Sequence, residues 1–246
     1  MSADFDVHWS PSEPVRDFHR VQVWFCDLDA DWLVDFPGRS PLSASELARA
    51  ERLKSLLERR RFVARCAFVR RVLGNLVGVA PAALQFRDGT RGKPRLAFPV
   101  GANDWYLAAL DFNLSHTENV LALAVASGRD VGIDVEVVKP GVDVLAVGEA
   151  QFAAEESAWL RALPVSEGTL AFYRLRTRKE ALAKADGRGI AFQPAVETRP
   201  DSQWQVHSFE FTFGEKEIYG ALAFGADVHR LPEPVVKRAP SNHAAV

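Results

Sequence analysis

Cysteine is scarce in this chain: two residues in 246, Cys26 and Cys66, far apart and without CxxC spacing. That excludes a disulfide scaffold and fits a reducing compartment, so a cytoplasmic location is expected. Neither sign of charge is in excess. The formal net charge of −2 removes any global electrostatic case for nucleic acid or an anionic membrane. No stretch reaches the roughly 18 uninterrupted apolar residues of a membrane span, and MSADFDVHWS has no basic region followed by an apolar run, so no signal peptide is expected. No residue-level repeat is found either. What remains is ordinary for a globular chain, 48% hydrophobic and 25% charged residues, with length for one large domain or two closely packed small ones.

The pattern along the chain mixes strands and helices without βαβ alternation, which predicts an α+β fold. Residues 1–20 read as an irregular arm. Val21–Leu28 reads as a strand, and Ser43 or Ser45 can cap a long helix from near Glu46 that breaks near Glu58 and ends around Leu73–Val77. ALQFRD is a short strand. YLAALDFNLSH is strand-like, and NVLALAVA and DVGIDVEVV read as an antiparallel pair turning at Ser127-Gly128. Helices are expected over Val147–Leu163 and Thr169–Ala185, strands near WQVHSFEF and IYGALAFG, and a frayed tail from Asp227 onward.

Chemistry-bearing residues stand out against this frame. Acids are depleted from strands, yet Asp134 and Glu136 sit two apart in a strand-like run, which points both to one face. Paired carboxylates repel unless a cation lies between them or one is protonated. A solvated strand edge and a Mg²⁺ site both accommodate them. In RLRTRKEALAKADGRGI, Arg176, Glu180 and Lys184 share one helix face, either as an exposed ion-pair ladder or with Glu180 as a third metal carboxylate and Lys179 and Lys184 gripping a phosphate. RGKPRL is a turn that can hold Lys93 over an anion. Ser115 and His116 are neighbours on a strand and point oppositely, so they suit phosphate contact better than acyl-enzyme chemistry. Among Arg59, Arg60, Arg61, Arg65, Arg70 and Arg71, Arg61 and Arg65 share a face and can fork onto a phosphate, although a solvated helix face is the plainer reading.

The order of these motifs is more telling than any one of them. Gly92-Lys93-Pro94, Asn113-Leu114-Ser115-His116, Gly132-Ile133-Asp134-Val135-Glu136, Phe152-Ala153-Ala154-Glu155-Glu156 and Lys179-Glu180-Ala181-Leu182-Ala183-Lys184 follow one another. That series resembles the 4'-phosphopantetheinyl transferases of the longer, single-chain, surfactin-synthetase-activating type. The resemblance implies Mg²⁺-dependent transfer of phosphopantetheine from coenzyme A to a serine of an apo acyl or peptidyl carrier protein. It implies Asp134, Glu136 and Glu180 as metal carboxylates, Glu156 as general base or water-positioner, and Lys184 on the pyrophosphate. Lys93, Ser115 and His116 would contact coenzyme A, with Arg61 on its 3'-phosphate and Arg49 or Arg52 adding to it. It also implies a pseudo-twofold α+β monomer, residues 1–127 and 128–226 as halves around a coenzyme A cleft and 227–246 as a flexible tail. One residue departs from the pattern: Arg176 stands where the family usually has Trp, and it either pairs with Glu180 or swings outward while Phe172 or Tyr173 fills the gap. Two other classes share part of this signature: another Mg²⁺-dependent phosphoryl or nucleotidyl enzyme, and a nucleic-acid-binding module on the Arg49–Arg71 helix.

Overall fold

The computed structural model describes residues 16–18, 21–30, 41–89, 92–97, 110–187 and 203–225. The helices are α1 (Ala44–Glu51), α2 (Leu56–Val77), α3 (Val144–Gln151), α4 (Ala154–Ala162) and α5 (Val165–Asp186). The strands are β1 (Arg16–Phe18), β2 (Val21–Asp27), β3 (Gln85–Asp88), β4 (Pro94–Ala97), β5 (Leu110–Thr117), β6 (Val120–Ser127), β7 (Val131–Val137), β8 (Trp204–Phe213) and β9 (Lys216–Gly225). The expected mixture of helix and sheet is therefore present.

Helix boundaries follow local capping chemistry. Ser43 and Glu46 form a reciprocal capping box at the start of α1, each side chain meeting the other's backbone N–H. The expected long helix breaks at residues 52–55, earlier than Glu58, because Ser55 caps a new helix by accepting the Glu58 N–H at 3.3 Å. Gly78 ends α2 at φ 67°, a left-handed conformation that glycine adopts without a Cβ penalty. The helix expected over Val147–Leu163 is two helices. Phe152 is extended and buried between them, and the Glu156 carboxylate takes up the Ala153 N–H where α4 begins. Residues Arg16–Phe18, expected in an irregular arm, form the edge strand β1, while the expected tail 227–246 lies outside the described residues.

Two antiparallel sheets are stacked. One has the order β1-β2-β6-β5 and the other β7-β9-β8, with β3-β4 as a separate hairpin. The expected hairpin between β6 and β7 does not form. Strand β6 is buried along almost its whole length and has β2 on one edge and β5 on the other, so no edge is left for β7. Gly128, at φ 72°, redirects the chain and β7 pairs with β9 in the second sheet, from Val131↔Phe224 to Val137↔Ile218.

Alternation does the rest. Val21, Val23 and Phe25 of β2, with Ala122 and Ala124 of β6, meet Val131, Ile133, Val135, Leu222 and Phe224 between the sheets. Phe25 packs edge-on to Phe209 and Phe211, with centroids 5.7 and 4.9 Å away. On the far side of the first sheet, Trp24, Leu121 and Leu123 lie under Phe68, Val72 and Leu73 of α2. On the far side of the second, Ala221 and Ala223 lie under Ala181, Leu182 and Ala185 of α5. The result is helix, sheet, sheet, helix, with the edges of β5 and β7 brought together.

Candidate active site

Since Val131, Ile133, Val135 and Val137 fill the inter-sheet core, Gly132, Asp134 and Glu136 face α5. Gly132 has a steric reason to be glycine. A Cβ there would stand 2.1 Å from the Ala181 carbonyl oxygen and 2.4 Å from Ala185 N, so only glycine lets α5 lie against β7. That approach carries Lys184 to Asp134: its Nζ donates to Asp134 Oδ1 at 2.7 Å and to the Ile133 carbonyl at 3.1 Å. From the other sheet, Ser115 Oγ donates to the same Oδ1 at 2.9 Å. Asp134 is 5% exposed, and its Oδ2 is buried without a hydrogen-bond partner. Glu180 has its proton affinity raised, chiefly by burial and next by the charge of Asp134; Lys184 and Arg176 oppose this and Glu136 adds to it.

Arg176 takes neither expected position. Its Nε donates to Glu136 Oε1 at 3.1 Å and its Nη1 to Gln151 Oε1 at 2.5 Å, so it neutralises Glu136 rather than Glu180. Phe172 and Tyr173 are buried with Phe152, Leu160 and Leu175 and belong to a local core. Lys179, expected on a phosphate, instead donates to Glu156 Oε2 at 2.6 Å, in a pair whose side chains are 9% and 18% exposed. That same Oε2 accepts the Ala153 N–H.

On the first sheet the expected coenzyme A residues separate into two groups. Lys93 is turned inward, ion-paired with Asp111 and donating to the Val131 carbonyl at 2.9 Å, and so ties β4 to β5 and β7. Arg61 forks onto Asp29, Nε to Oδ1 at 2.8 Å and Nη2 to Oδ2 at 2.5 Å, while Arg60 holds the Asp29 carbonyl. Arg65 Nη1 lies 3.2 Å from His116 Nε2. Arg49 and Arg65 both stack on the Phe62 ring, and Arg52 ends α1 through its backbone. His116 resists protonation, first because the surrounding protein desolvates it and then because Arg65, Lys184 and Arg61 repel its charge. Cations of α2 and α5 thus act on one imidazole at the junction of the two sheets. Ser115 and His116 do point oppositely, the first buried and the second exposed.

Two carboxylates escaped the sequence reading. Asp29 lies in a turn and carries no signal. Asp111 does carry one, an acid inside a strand, the same signal that singled out Asp134.

As for the metal that the resemblance implies, the donors are all hard carboxylate oxygens, and Asp134 Oδ2 is an orphaned buried acceptor of the kind a cation satisfies. The residues fit Mg²⁺ in that sense. Among the described residues, however, no three acidic, histidine or cysteine side chains stand close enough to enclose an ion, and Glu136 is paired with Arg176. No helix among the described residues is long and apolar enough to cross a membrane.

Comparison with known proteins defines the class. Residues 130–229, which contain β7, α5 and the carboxylates, match the 4'-phosphopantetheinyl transferase superfamily. The chain is 36% identical over 193 residues to the 4'-phosphopantetheinyl transferase HetI of Nostoc sp., covering 77% of this chain and 78% of that protein. It is 30% identical over 170 residues to a putative 4'-phosphopantetheinyl transferase of Synechocystis sp., covering 69% and 66%. With the 4'-phosphopantetheinyl transferase AcpT of Salmonella typhimurium it shares 38% identity over 105 residues, 43% of this chain and 50% of that one. The chain belongs to the 4'-phosphopantetheinyl transferase superfamily.

Proposed function

We propose that this protein transfers the 4'-phosphopantetheine arm of coenzyme A to a serine hydroxyl of an apo acyl or peptidyl carrier protein, with Mg²⁺, releasing adenosine 3',5'-bisphosphate. The observation that carries the reading is that Lys184 of α5 and Ser115 of β5 meet on Asp134, whose Oδ2 is left without a partner, while Arg65 of α2 lies against the neighbouring His116. Cations next to a carboxylate with a free acceptor suit a pyrophosphate whose developing charge a bound metal would help neutralise.

In this reading Asp134, Glu180 and Glu136 would hold Mg²⁺, whose chemistry is to neutralise charge building on the pyrophosphate oxygens. Lys184 stays on the Asp134 side of the site and meets the same anion. Arg61, Arg65 and His116 bind and orient coenzyme A. The serine oxygen forms a bond to the β-phosphorus as the bond from that phosphorus to the bridging oxygen breaks, and the bridging oxygen leaves with the bisphosphate. Glu156 is held through Oε2 by Lys179 and the Ala153 N–H, which leaves Oε1 to take the serine proton. The chain would then be a monomer of the longer single-chain type, with residues 1–127 and 128–226 as pseudo-twofold halves around the coenzyme A cleft.

Incubation with coenzyme A, Mg²⁺ and an apo carrier tests this by intact mass. Gain of one phosphopantetheine arm on the carrier, lost with Asp134→Ala while circular dichroism is unchanged, is the expected result. Coenzyme A cleavage that proceeds equally without a carrier would indicate another Mg²⁺-dependent phosphoryl enzyme instead.

A further inference from the structure

Every second side chain of β5 faces β7, and three of the four do the same thing. Asp111 Oδ2 accepts the Val131 N–H at 2.8 Å, Asn113 Oδ1 accepts the Ile133 N–H at 3.0 Å and Thr117 Oγ1 accepts the Val137 N–H at 3.2 Å. Side chains thus stand in for a backbone ladder between the two sheets. Ser115 is the exception. Its hydroxyl donates to a side chain, Asp134 Oδ1, in a bond buried from solvent.

The exception has a consequence for the carboxylate. Oδ1 receives both the Ser115 hydroxyl and the Lys184 ammonium, while Oδ2 is buried and has no partner. Rotating the carboxylate would give up both bonds. We propose that Ser115 is a positioning residue: it fixes Asp134 through Oδ1 and so leaves the unpartnered Oδ2 as the oxygen for the divalent cation. This rests on the reading that Asp134 holds a cation, and it replaces a direct contact of Ser115 with coenzyme A. Hydrogen bonds that orient a ligating carboxylate are commonly worth ten- to a hundredfold in metal affinity.

Mn²⁺ binding to the full chain, followed by the electron paramagnetic resonance of free Mn²⁺ without coenzyme A or carrier, tests the proposal. Ser115→Ala is expected to weaken Mn²⁺ binding by about tenfold or more. Ser115→Thr, which keeps the hydroxyl, should recover most of the loss, and coenzyme A binding measured without divalent cation should stay as in wild type. Should Ser115→Ala not fold by circular dichroism, Ser115→Cys, of similar volume and a weaker donor, carries the same expectation. Unchanged Mn²⁺ affinity overturns the proposal. So does a parallel loss of metal-free coenzyme A binding, which would make Ser115 a ligand contact. Absence of saturable Mn²⁺ binding in wild type overturns it through the metal assignment itself, and the carrier assay reports separately whether transfer occurs.

Discussion

Arg176 and Glu136 are joined across the gap between α5 and β7, Nε to Oε1 at 3.1 Å, with side chains 28% and 26% exposed. A guanidinium therefore occupies a carboxylate that the proposed function assigns to a metal. Arg176→Trp or Arg176→Leu should free Glu136 and lower the Mg²⁺ concentration for half-maximal transfer several-fold, with little change in coenzyme A affinity. Titrating activity and calorimetric Mg²⁺ binding in parallel checks this, and an unmoved half-saturation point would mean that the pair opens at no cost to the metal.

Gly132 is where the helix carrying Glu180 and Lys184 touches β7. A methyl group there would overlap the Ala181 carbonyl and Ala185 N, both backbone atoms that cannot swing away. Gly132→Ala should cost ~1–3 kcal/mol or more as overpacking and should displace Lys184 from Asp134. Urea unfolding measures the first effect. A loss of transfer larger than the stability change explains would report the second.

The Lys179–Glu156 pair near the site is largely buried, its side chains 9% and 18% exposed. Removing one partner leaves the other charge buried and uncompensated, at about 3–5 kcal/mol. Lys179→Met should therefore destabilise strongly, and the double variant with Glu156→Gln should be less destabilised than the sum of the two singles. A double-mutant cycle in urea gives the coupling energy; additive losses would show that the two side chains do not act as a pair.

His116 sets an expected pH dependence. Its folded-state proton affinity lies below the ordinary value of 6.5, so the unfolded chain takes up a proton over a range where the folded chain does not. Stability should fall as the pH drops below about 6.5, until the folded imidazole also protonates. Thermal melts between pH 5 and 8 should show a shallower slope for His116→Gln, and NMR titration of the ring should give a midpoint below that of a model peptide. Equal slopes would place the effect elsewhere.

Much of this was legible from residues alone where the cause is local. The runs that became β2, β8 and β9 announced themselves by composition and turns; capping chemistry narrowed one helix start to Ser43 or Ser45 and one helix end to Gly74 or Gly78, and Ser43 and Gly78 are the caps. Asp134 and Glu136 stood out because acids are rare in strands. Local cause also misled: the Gly128 turn between two apolar strands reads as a hairpin, and only the occupation of both β6 edges decides otherwise. Charge partners were least legible. Asp29 and Arg61 are 32 positions apart, and Lys179 reaches back 23 positions to Glu156. Nothing in a linear pattern says which cation meets which anion once the layers close.

The side-chain row of β5 has a meaning for the chain's behaviour among its own copies. An uncovered strand edge is a template on which another chain can add a strand. Along β7 the edge donors of Val131, Ile133 and Val137 are already consumed by Asp111, Asn113 and Thr117, and side chains, unlike a backbone ladder, cannot propagate. The strand that bears the proposed metal carboxylates is thereby kept from seeding aggregation.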